Sequence, residues 1–326
     1  MRRAFRKSES GTVLIAVLSG MLILTVMALA LASSVRVGEE ELANRKEHLQ
    51  AYYMARGGVY MTAGLLTHIS PTPKEGFLVA GQRSLEWKEN LGRVKVEITD
   101  ESGKIDVNQA SEEVLERLLV VLGFDHQSAQ TLAMTIVDWR SPSSLARWSK
   151  AAASGTLPAF ERAPATGSNF RSVEELLQVP GISPELFYGH YVRQDDGKFV
   201  RQPGLVDCVT VDSQSSQINV NYAPYPVLLV VTHSDTQLAD DIVAARETKP
   251  ISSLSELSSN FPVSGGTAEP NLTTQSSGRF TLLATGWAGA GGVAARIQAL
   301  VDVAKPSSNN NSLPVQVLRW KDSYVQ

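Results

Sequence analysis

The residues that could carry out catalysis or bind a metal are few, and their spacing favours neither. Two carboxylate pairs occur, Asp195-Asp196 in the turn-like segment RQDDGK and Asp240-Asp241 in a predicted helix. Acid–base chemistry needs groups that face one substrate, and adjacent residues on a helix do not share a face. The single Cys208 and five scattered histidines give no zinc motif, and the motifs of serine hydrolases, zinc proteases, P-loops and dinucleotide sites are missing. We therefore expect no enzymatic activity.

The N-terminal segment is suited to a different chemistry, proteolytic processing beside a membrane. The 21 uncharged residues from Thr12 to Ala32 match the length of about 20 that a helix needs to cross a bilayer. A buried helix of a soluble protein would show a polar stripe, which this run lacks. A secretory signal cleaved near ALASS (Ala30–Ser34) is the alternative. Basic residues precede the run and predict a cytoplasmic N-terminus: Arg2, Arg3, Arg6 and Lys7.

The junction Ser10-Gly11-Thr12 resembles the leader of type IV prepilins and type II secretion pseudopilins. The resemblance implies cleavage between Gly11 and Thr12 by a prepilin peptidase, followed by N-methylation of Thr12. The family carries Glu at the fifth mature position, which is Ala16 here. A carboxylate in a bilayer is costly unless it meets a positive partner, in these filaments a neighbour's amine. A subunit with no neighbour ahead of it needs no such carboxylate, and its absence is typical of the minor pseudopilin K.

Helix and strand periodicities predict an α+β fold. No proline interrupts the chain from Thr12 to about Thr67, which predicts one long helix, apolar first and amphipathic afterwards. Alternation at Arg93–Thr99 predicts a strand, and segments 279–286, 296–304 and 314–320 are similar. We expect an antiparallel sheet on the second half of the helix, the pseudopilin architecture. The helix stripe expected to lie on it comprises Leu42, Leu49, Tyr52, Tyr53, Gly57, Tyr60, Leu65 and Leu66.

A degenerate internal duplication occupies the long stretch between the predicted strands. IDVNQASEEVL at 105–115 and INVNYAPYPVL at 218–228 share one pattern, and each is followed by I-V-x-x-R, ending at Arg140 and Arg246. SVEEL and SLSEL then follow in the same order. Repeated helix starts explain the pattern: Asn108 and Asn221 are expected to cap helices. Ser172 with Glu175 and Ser253 with Glu256 have capping-box spacing.

The repeats also resemble helix-hairpin-helix DNA-binding modules, but their charge argues against that use. Residues 105–277 hold 11 Lys and Arg against 20 Asp and Glu, a net of −9. A unit this acidic repels a polyanion. We therefore interpret the hairpin as a packing device, so we do not expect nucleic acid as a partner.

Calcium is the one metal ligand that the family resemblance suggests. K subunits typically place an acidic run after the Asp-Trp of VDWR, and some bind calcium in acidic loops. Calcium needs several converging oxygens. Here no second acid follows Asp138 closely, so the calcium site of the family is incomplete in this sequence. Asp207 and Asp212 are weak alternative candidates. No other cofactor is predicted.

Over its full length the chain resembles the minor pseudopilin K family of type II secretion systems. The expected segments are a cleaved leader (1–11), a transmembrane helix (12–34), a pseudopilin core in two parts (35–104 and 278–326) and a helical insertion (105–277). The resemblance implies a single-pass inner-membrane protein with its bulk in the periplasm, at the tip of the pseudopilus, helping its assembly and the export of folded proteins. The alternative is a periplasmic helix-hairpin-helix DNA-binding protein of a DNA-uptake or type IV pilus system. The implied partners are the minor pseudopilins I and J, the major pseudopilin, the prepilin peptidase and the inner-membrane secretion platform.

Overall fold

A computed structural model describes residues 10–70, 78–79, 81–90, 92–141, 167–194, 197–256, 272–289, 292–303 and 314–324. The helices are α1 (Ser10–Leu66), α2 (Glu112–Val121), α3 (His126–Arg140), α4 (Pro184–Tyr188), α5 (Leu205–Cys208), α6 (Tyr225–Val231) and α7 (Thr236–Thr248), with 3₁₀ helices at Glu101–Gly103 and Val173–Gln178. The strands are β1 (Ile69–Ser70), β2 (Leu78–Val79), β3 (Ser84–Glu89), β4 (Gly92–Asp100), β5 (Ile105–Asp106), β6 (His190–Arg193), β7 (Phe199–Gln202), β8 (Val209–Thr210), β9 (Ile218–Asn219), β10 (Leu272–Thr273), β11 (Arg279–Ala288), β12 (Val293–Val303) and β13 (Val315–Tyr324).

The long N-terminal helix and the antiparallel sheet confirm the predicted α+β fold. Helix α1 has 57 residues, and at about 1.5 Å per residue it is about 85 Å long. One sheet contains five strands in the order β13-β12-β11-β4-β3, and all its neighbours are antiparallel. The four segments with predicted alternation are the strands β4, β11, β12 and β13. In β4, β11 and β12, period two gives each strand one buried face toward α1, whereas the edge strand β13 is mostly exposed.

The stripe of α1 that packs on the sheet differs from the predicted one. Its buried positions recur every three or four residues: Ala51, Ala55, Val59, Ala63 and Leu66. Small side chains allow a close approach, and a Cβ atom at Gly286 of β11 would lie 2.3 Å from the Ala51 carbonyl oxygen. Several of the large predicted residues are more than half exposed: Leu42, Leu49, Tyr53 and Tyr60. Leu66 is buried as predicted, and Tyr52 and Leu65 are partly buried against the same core. Beside Gly286, however, the close approach of the two backbones leaves room only for small residues.

A second hydrophobic core lies between Ile105 and Ile251, apart from the core that α1 forms with the sheet. The segment from 101 to 273, here called the helical unit, leaves the sheet after β4 and returns to it at β11. Buried side chains of α2, α3, α6 and α7 fill this core. The largest fully buried one is Phe187, at the α4 turn.

The duplication seen in the sequence recurs in three dimensions. Strand β5 pairs in parallel with β8, and its counterpart β9 pairs in parallel with β10. The Arg140 guanidinium donates to the carbonyl oxygens of Val107 and Ala110. In the second copy, the Arg246 guanidinium donates to the corresponding carbonyls, those of Val220 at 2.7 Å and Ala223 at 2.8 Å. The arginine of each I-V-x-x-R motif thus ties its helix to the V-N-x-A turn of the same copy.

The two asparagines do not cap helices, which corrects the prediction. Ser111 caps α2 through its hydroxyl, and α6 begins after Pro224 without a side-chain cap. Each asparagine instead exchanges two hydrogen bonds with the backbone of one distant residue: Asn108 with Phe170, and Asn221 with Ile251. An amide side chain carries both a donor and an acceptor, so it can satisfy both backbone groups of an extended residue.

The predicted capping boxes form only in part. The Ser172 side chain makes no capping bond to the 3₁₀ helix at Val173–Gln178. The Glu175 carboxylate accepts from the backbone N–H of Arg171 at 3.2 Å. The equivalent Glu256 accepts from the N–H of Ser252 at 3.4 Å. In both copies the glutamate thus bonds the residue one place before the predicted cap.

Candidate assembly surfaces

The first half of α1 is an apolar surface without a partner inside the described chain. The segment Val13–Leu66 contains an 18-residue window with a mean hydropathy of 2.7, and none of that window is buried. Within the described residues α1 is the one helix long and apolar enough to cross a membrane. Exposing this much apolar surface to water is unfavourable, at about 25 cal/mol per Å². Lipid or other chains must therefore cover it, which fits a single-pass membrane anchor.

The residues predicted for processing and filament position all lie in the first turns of this helix. Gly11 and Thr12 are in helical conformation directly after Ser10, where the described residues begin. Ala16 lies four residues after Thr12 on the same helix and is exposed. Cleavage between Gly11 and Thr12, methylation of Thr12 and the role of Ala16 stay predictions.

The second half of α1 presents aromatic side chains on the face that does not pack against the buried stripe. The Tyr60 ring stacks on Trp320 of β13, with ring centroids 5.9 Å apart and planes 27° apart. The Arg56 guanidinium lies 5.8 Å from the centre of the Tyr60 ring. Val317 and Leu318 of β13, the edge strand, are also exposed. We call this group, together with Tyr53, the outer helix face; aromatic and arginine side chains are enriched in protein interfaces.

The candidate catalytic residues are not brought together. Asp195 and Asp196 lie outside the described residues. On α7, the Asp241 carboxylate accepts a hydrogen bond from Gln237 at 3.1 Å, while a hydrogen bond to Asp240 raises the pKa of Tyr225. The two carboxylates therefore have different partners.

The one thiol of the chain is buried. Burial raises the pKa of Cys208 to about 12, so the side chain is a neutral thiol at physiological pH. A nucleophile must be exposed and at least partly deprotonated. Cys208 therefore belongs to the hydrophobic core of the helical unit.

The calcium candidates are separated and engaged elsewhere. The Asp207 carboxylate pairs with Arg201 at 2.8 Å and accepts from the backbone N–H of Gly204. Asp212 pairs with Arg319 of β13 at 3.1 Å. Asp138 lies near the end of α3, and residues 142–166 after it are outside the described part. Across the described ranges, no three His, Cys, Asp or Glu side chains converge on one point. Calcium binding stays a prediction.

Buried acids lie where the helical unit joins the sheet, and the sequence analysis did not find them. The Glu101 carboxylate accepts hydrogen bonds from Thr210 and Thr281, each at 2.5 Å, and so links the helical unit to β11. Burial raises the pKa of the neighbouring Asp100 to about 6, although hydrogen bonds from the side chain and backbone of Ser102 partly oppose the shift. The segment DESGKIDVN marks this entry in the sequence, but nothing local shows that its acids are buried.

A long helix, apolar in its first half and packed on an antiparallel sheet with its second half, is the pseudopilin fold. A family model described as "Type II secretion system (T2SS), protein K" matches residues 89–188, from the end of β3 to the end of α4.

Among solved structures, a chain of "The Crystal Structure of the GspK-GspI-GspJ complex from enterotoxigenic Escherichia coli Type 2 Secretion System" has the same fold. Its TM-score is 0.56 at 13% sequence identity, and the match covers 89% of this chain and 99% of that one. No curated protein matches the chain significantly. The family-model match and the shared fold together support the resemblance to protein K, a minor pseudopilin of type II secretion systems.

Proposed function

We propose that this chain is a minor pseudopilin at the tip of a type II secretion pseudopilus, where it helps start assembly and supports the export of folded proteins. The observation that carries the proposal is the protein K match over residues 89–188. That segment spans the point where the helical unit enters the sheet. The bulk of this unit, beside the sheet, suits an end position, because a subunit stacked above would meet it.

The proposed topology follows from charge and length. Four basic residues precede the apolar run, so the N-terminus is cytoplasmic and the sheet and helical unit are periplasmic. The membrane is the bacterial inner membrane. A prepilin peptidase cleaves between Gly11 and Thr12, and Thr12 is N-methylated.

The proposed partners are the minor pseudopilins I and J, the major pseudopilin and the inner-membrane secretion platform. The solved complex that matches this fold contains GspI and GspJ beside GspK, which supports the first two. Lateral contact would use the outer helix face, where Tyr53 and Tyr60 are exposed beside β13.

The segmentation at residues 104/105 and 277/278 is part of the proposal. The separate hydrophobic core of the helical unit supports it.

Calcium is retained as a candidate ligand, and catalysis is not proposed. The DNA-binding alternative is not favoured, because residues 105–277 have a net charge of −9.

Copurification tests the proposed function. The full chain is coexpressed with minor pseudopilins I and J from the same genome and purified in detergent. We expect a stable ternary complex that Tyr53→Asp on the outer helix face weakens. Met134→Asp, at an exposed position on α3 of the helical unit, is the matched control and should leave the complex intact. Failure of the unaltered chains to form a complex contradicts the proposal.

A further inference from the structure

A cleft between the sheet and the helical unit has the size of a small-ligand site. Its volume is about 570 Å³. One wall comes from β3, β4 and the residue before β3, Arg83, and the other comes from the helical unit, with Lys104, Tyr222 and Pro224. Small-molecule sites are typically clefts of about 300–1,000 Å³, and they occur preferentially at interfaces between domains. The cleft is therefore large enough for a small molecule and lies where such molecules commonly bind.

The charged side chains that line this cleft leave a positive excess. Its two acids are both engaged. The Glu97 carboxylate accepts a hydrogen bond from Lys95, also in the cleft, at 2.8 Å, and Asp207 is paired at 2.8 Å with an arginine of β7. Arg83 and Lys104 form no ion pair with any residue that the structure describes. Their two positive charges therefore have no counter-ion among the described side chains.

The helical unit holds Arg83 in place. The Arg83 guanidinium donates to the Asn221 carbonyl at 3.1 Å. The Arg246 guanidinium donates to the Val220 and Ala223 carbonyls of the same turn. The bond to Asn221 occupies one of the five N–H donors of a guanidinium, so Arg83 can bond to a ligand in the cleft without losing it.

These two arginines are partly desolvated and repel each other. Although Arg83 as a residue is exposed, partial burial of its guanidinium lowers its pKa. Burial, and then the charge of Arg83, lower the pKa of Arg246 to about 10. The charge of Glu247 acts in the opposite direction on both arginines. A positive charge that burial disfavours is stabilised by an anion close to it, so this part of the molecule favours an anionic ligand.

We propose that the cleft binds a small oxyanion, a molecule with a carboxylate or phosphate group, between Arg83 and Lys104. The planar guanidinium matches the geometry of both groups, and the Lys104 ammonium adds a second positive charge. Ser84 and Thr99 also line the cleft, and their hydroxyl groups supply neutral donors. Because Arg83 precedes β3 of the sheet and Lys104 belongs to the helical unit, the bound anion fastens the unit to the sheet. This inference goes beyond the proposed function and does not depend on it.

Charge and size select a small anion over other occupants. A cation would meet the positive excess, and both acids of the cleft are already paired. An extended acidic peptide or a nucleic acid would reach across the helical unit, where the net charge of −9 over residues 105–277 repels it. A small anion stays inside the cleft in contact with Arg83 and Lys104, and exposed charges beyond the Debye length of about 8 Å are largely screened.

The test measures binding of inorganic phosphate and of citrate to the full chain in detergent, by isothermal titration calorimetry at constant ionic strength. We expect at least one of these anions to bind and to raise the unfolding temperature. Arg83→Gln and Lys104→Gln should each weaken binding about tenfold, because a charge-assisted hydrogen bond is lost. Arg296→Gln and Lys321→Gln, at exposed positions of β12 and β13, are the matched controls and should bind like the unaltered chain. Binding of phosphate alone identifies a phosphate group as the ligand, and binding of citrate alone identifies a carboxylate.

Lys104→Gln separates a binding role from a structural one. The Lys104 side chain makes no hydrogen bond with a described residue, so without anion this variant should unfold at the same temperature as the unaltered chain. It keeps the test decisive even where Arg83→Gln loses stability with its bond to Asn221. The proposal is overturned if neither anion binds, or if Lys104→Gln binds as tightly as the two controls. Failure of this test leaves the ternary complex of the proposed function unaffected.

Discussion

Asn221 and Ile251 exchange two hydrogen bonds: the Asn221 side-chain amide donates to the Ile251 carbonyl at 3.0 Å, and the Ile251 N–H donates to the Asn221 side-chain oxygen at 2.8 Å. Both residues are buried. The same pair of bonds joins Asn108 to Phe170 in the first copy of the repeat. In each copy, the asparagine thus joins the V-N-x-A turn at the start of the repeat to a residue just before the SVEEL or SLSEL segment at its end.

Replacement of this asparagine should destabilise the helical unit. Asn221→Ala leaves a backbone donor and a backbone acceptor buried without partners, so we expect a loss of about 3 kcal/mol in the free energy of unfolding. Chemical unfolding of the full chain in detergent, followed by circular dichroism, measures it. Asn90→Ala, at an exposed turn, is the control and should change little. A loss for Asn221→Ala no larger than the control would show that the pair is dispensable.

The arginine of each repeat should be similarly important. Arg246→Met keeps most of the aliphatic packing but removes the donors to the Val220 and Ala223 carbonyls. We expect a loss of about 2 kcal/mol in the free energy of unfolding, because bonds from a charged donor are stronger than neutral ones. Arg171→Met, at an exposed position, is the control. Equal stability of both variants would contradict a clamping role for Arg246.

Asp100 should make the protein less stable as the pH rises through weakly acidic values. Burial raises its folded-state pKa from 3.8 to about 6, so between these values the folded state binds more protons than the unfolded state. Its contribution to the unfolding free energy therefore falls by about 2 kcal/mol from pH 4 to pH 6. Asp100→Asn removes this titration, and its stability profile should be flatter over that range. Unfolding at pH 4, 5, 6 and 7 compares the two proteins, and identical slopes would refute the assignment.

Processing should leave Thr12 as the first residue of the mature protein. Intact-mass measurement of protein purified from membranes, with and without the prepilin peptidase, decides it. Gly11→Val should block cleavage, because the peptidase site requires the small residue. Gly20→Val lies in the same helix, where an added Cβ atom meets nothing, and should be processed normally. A mature start near Ser33 would identify an ordinary secretory signal instead.

Position in the filament should depend on Ala16 and on the helical unit. A subunit inside the filament without a carboxylate leaves a neighbour's amine unpaired in a low-dielectric environment, which costs several kcal/mol. Ala16→Glu combined with deletion of 105–277 should therefore place the subunit along the filament, as seen by immunogold labelling. Ala16→Gln with the same deletion is the uncharged control. Labelling that stays at one end with Ala16→Glu would show that neither feature sets the position.

The sequence alone determined the elements whose signals are local. An uncharged run from Thr12 to Ala32, followed by a stretch without proline, predicted α1, since length and hydropathy need no tertiary context. Period-two alternation predicted β4, β11 and β12, because each has one face on the helix, and it also predicted the mostly exposed edge strand β13. The repeated V-N-x-A and I-V-x-x-R motifs fixed the duplication, since similar segments make similar contacts. The processing site at Gly11 and Thr12 stays a prediction from the sequence.

Tertiary packing decided the rest. Close approach of α1 to β11 at Gly286 selected Ala51 and Ala55 for burial, whereas the nearby Leu49 and Tyr53 are exposed. Asn221 bonds to Ile251 because the helical unit brings an extended residue to it, whereas local propensity predicted a helix cap. Asp100, at the end of β4, is buried so close to Tyr222 of the helical unit that, after burial itself, its charge raises the pKa of that tyrosine. Each of these outcomes depends on distances between segments far apart in the chain, and such distances leave no periodic trace in the sequence.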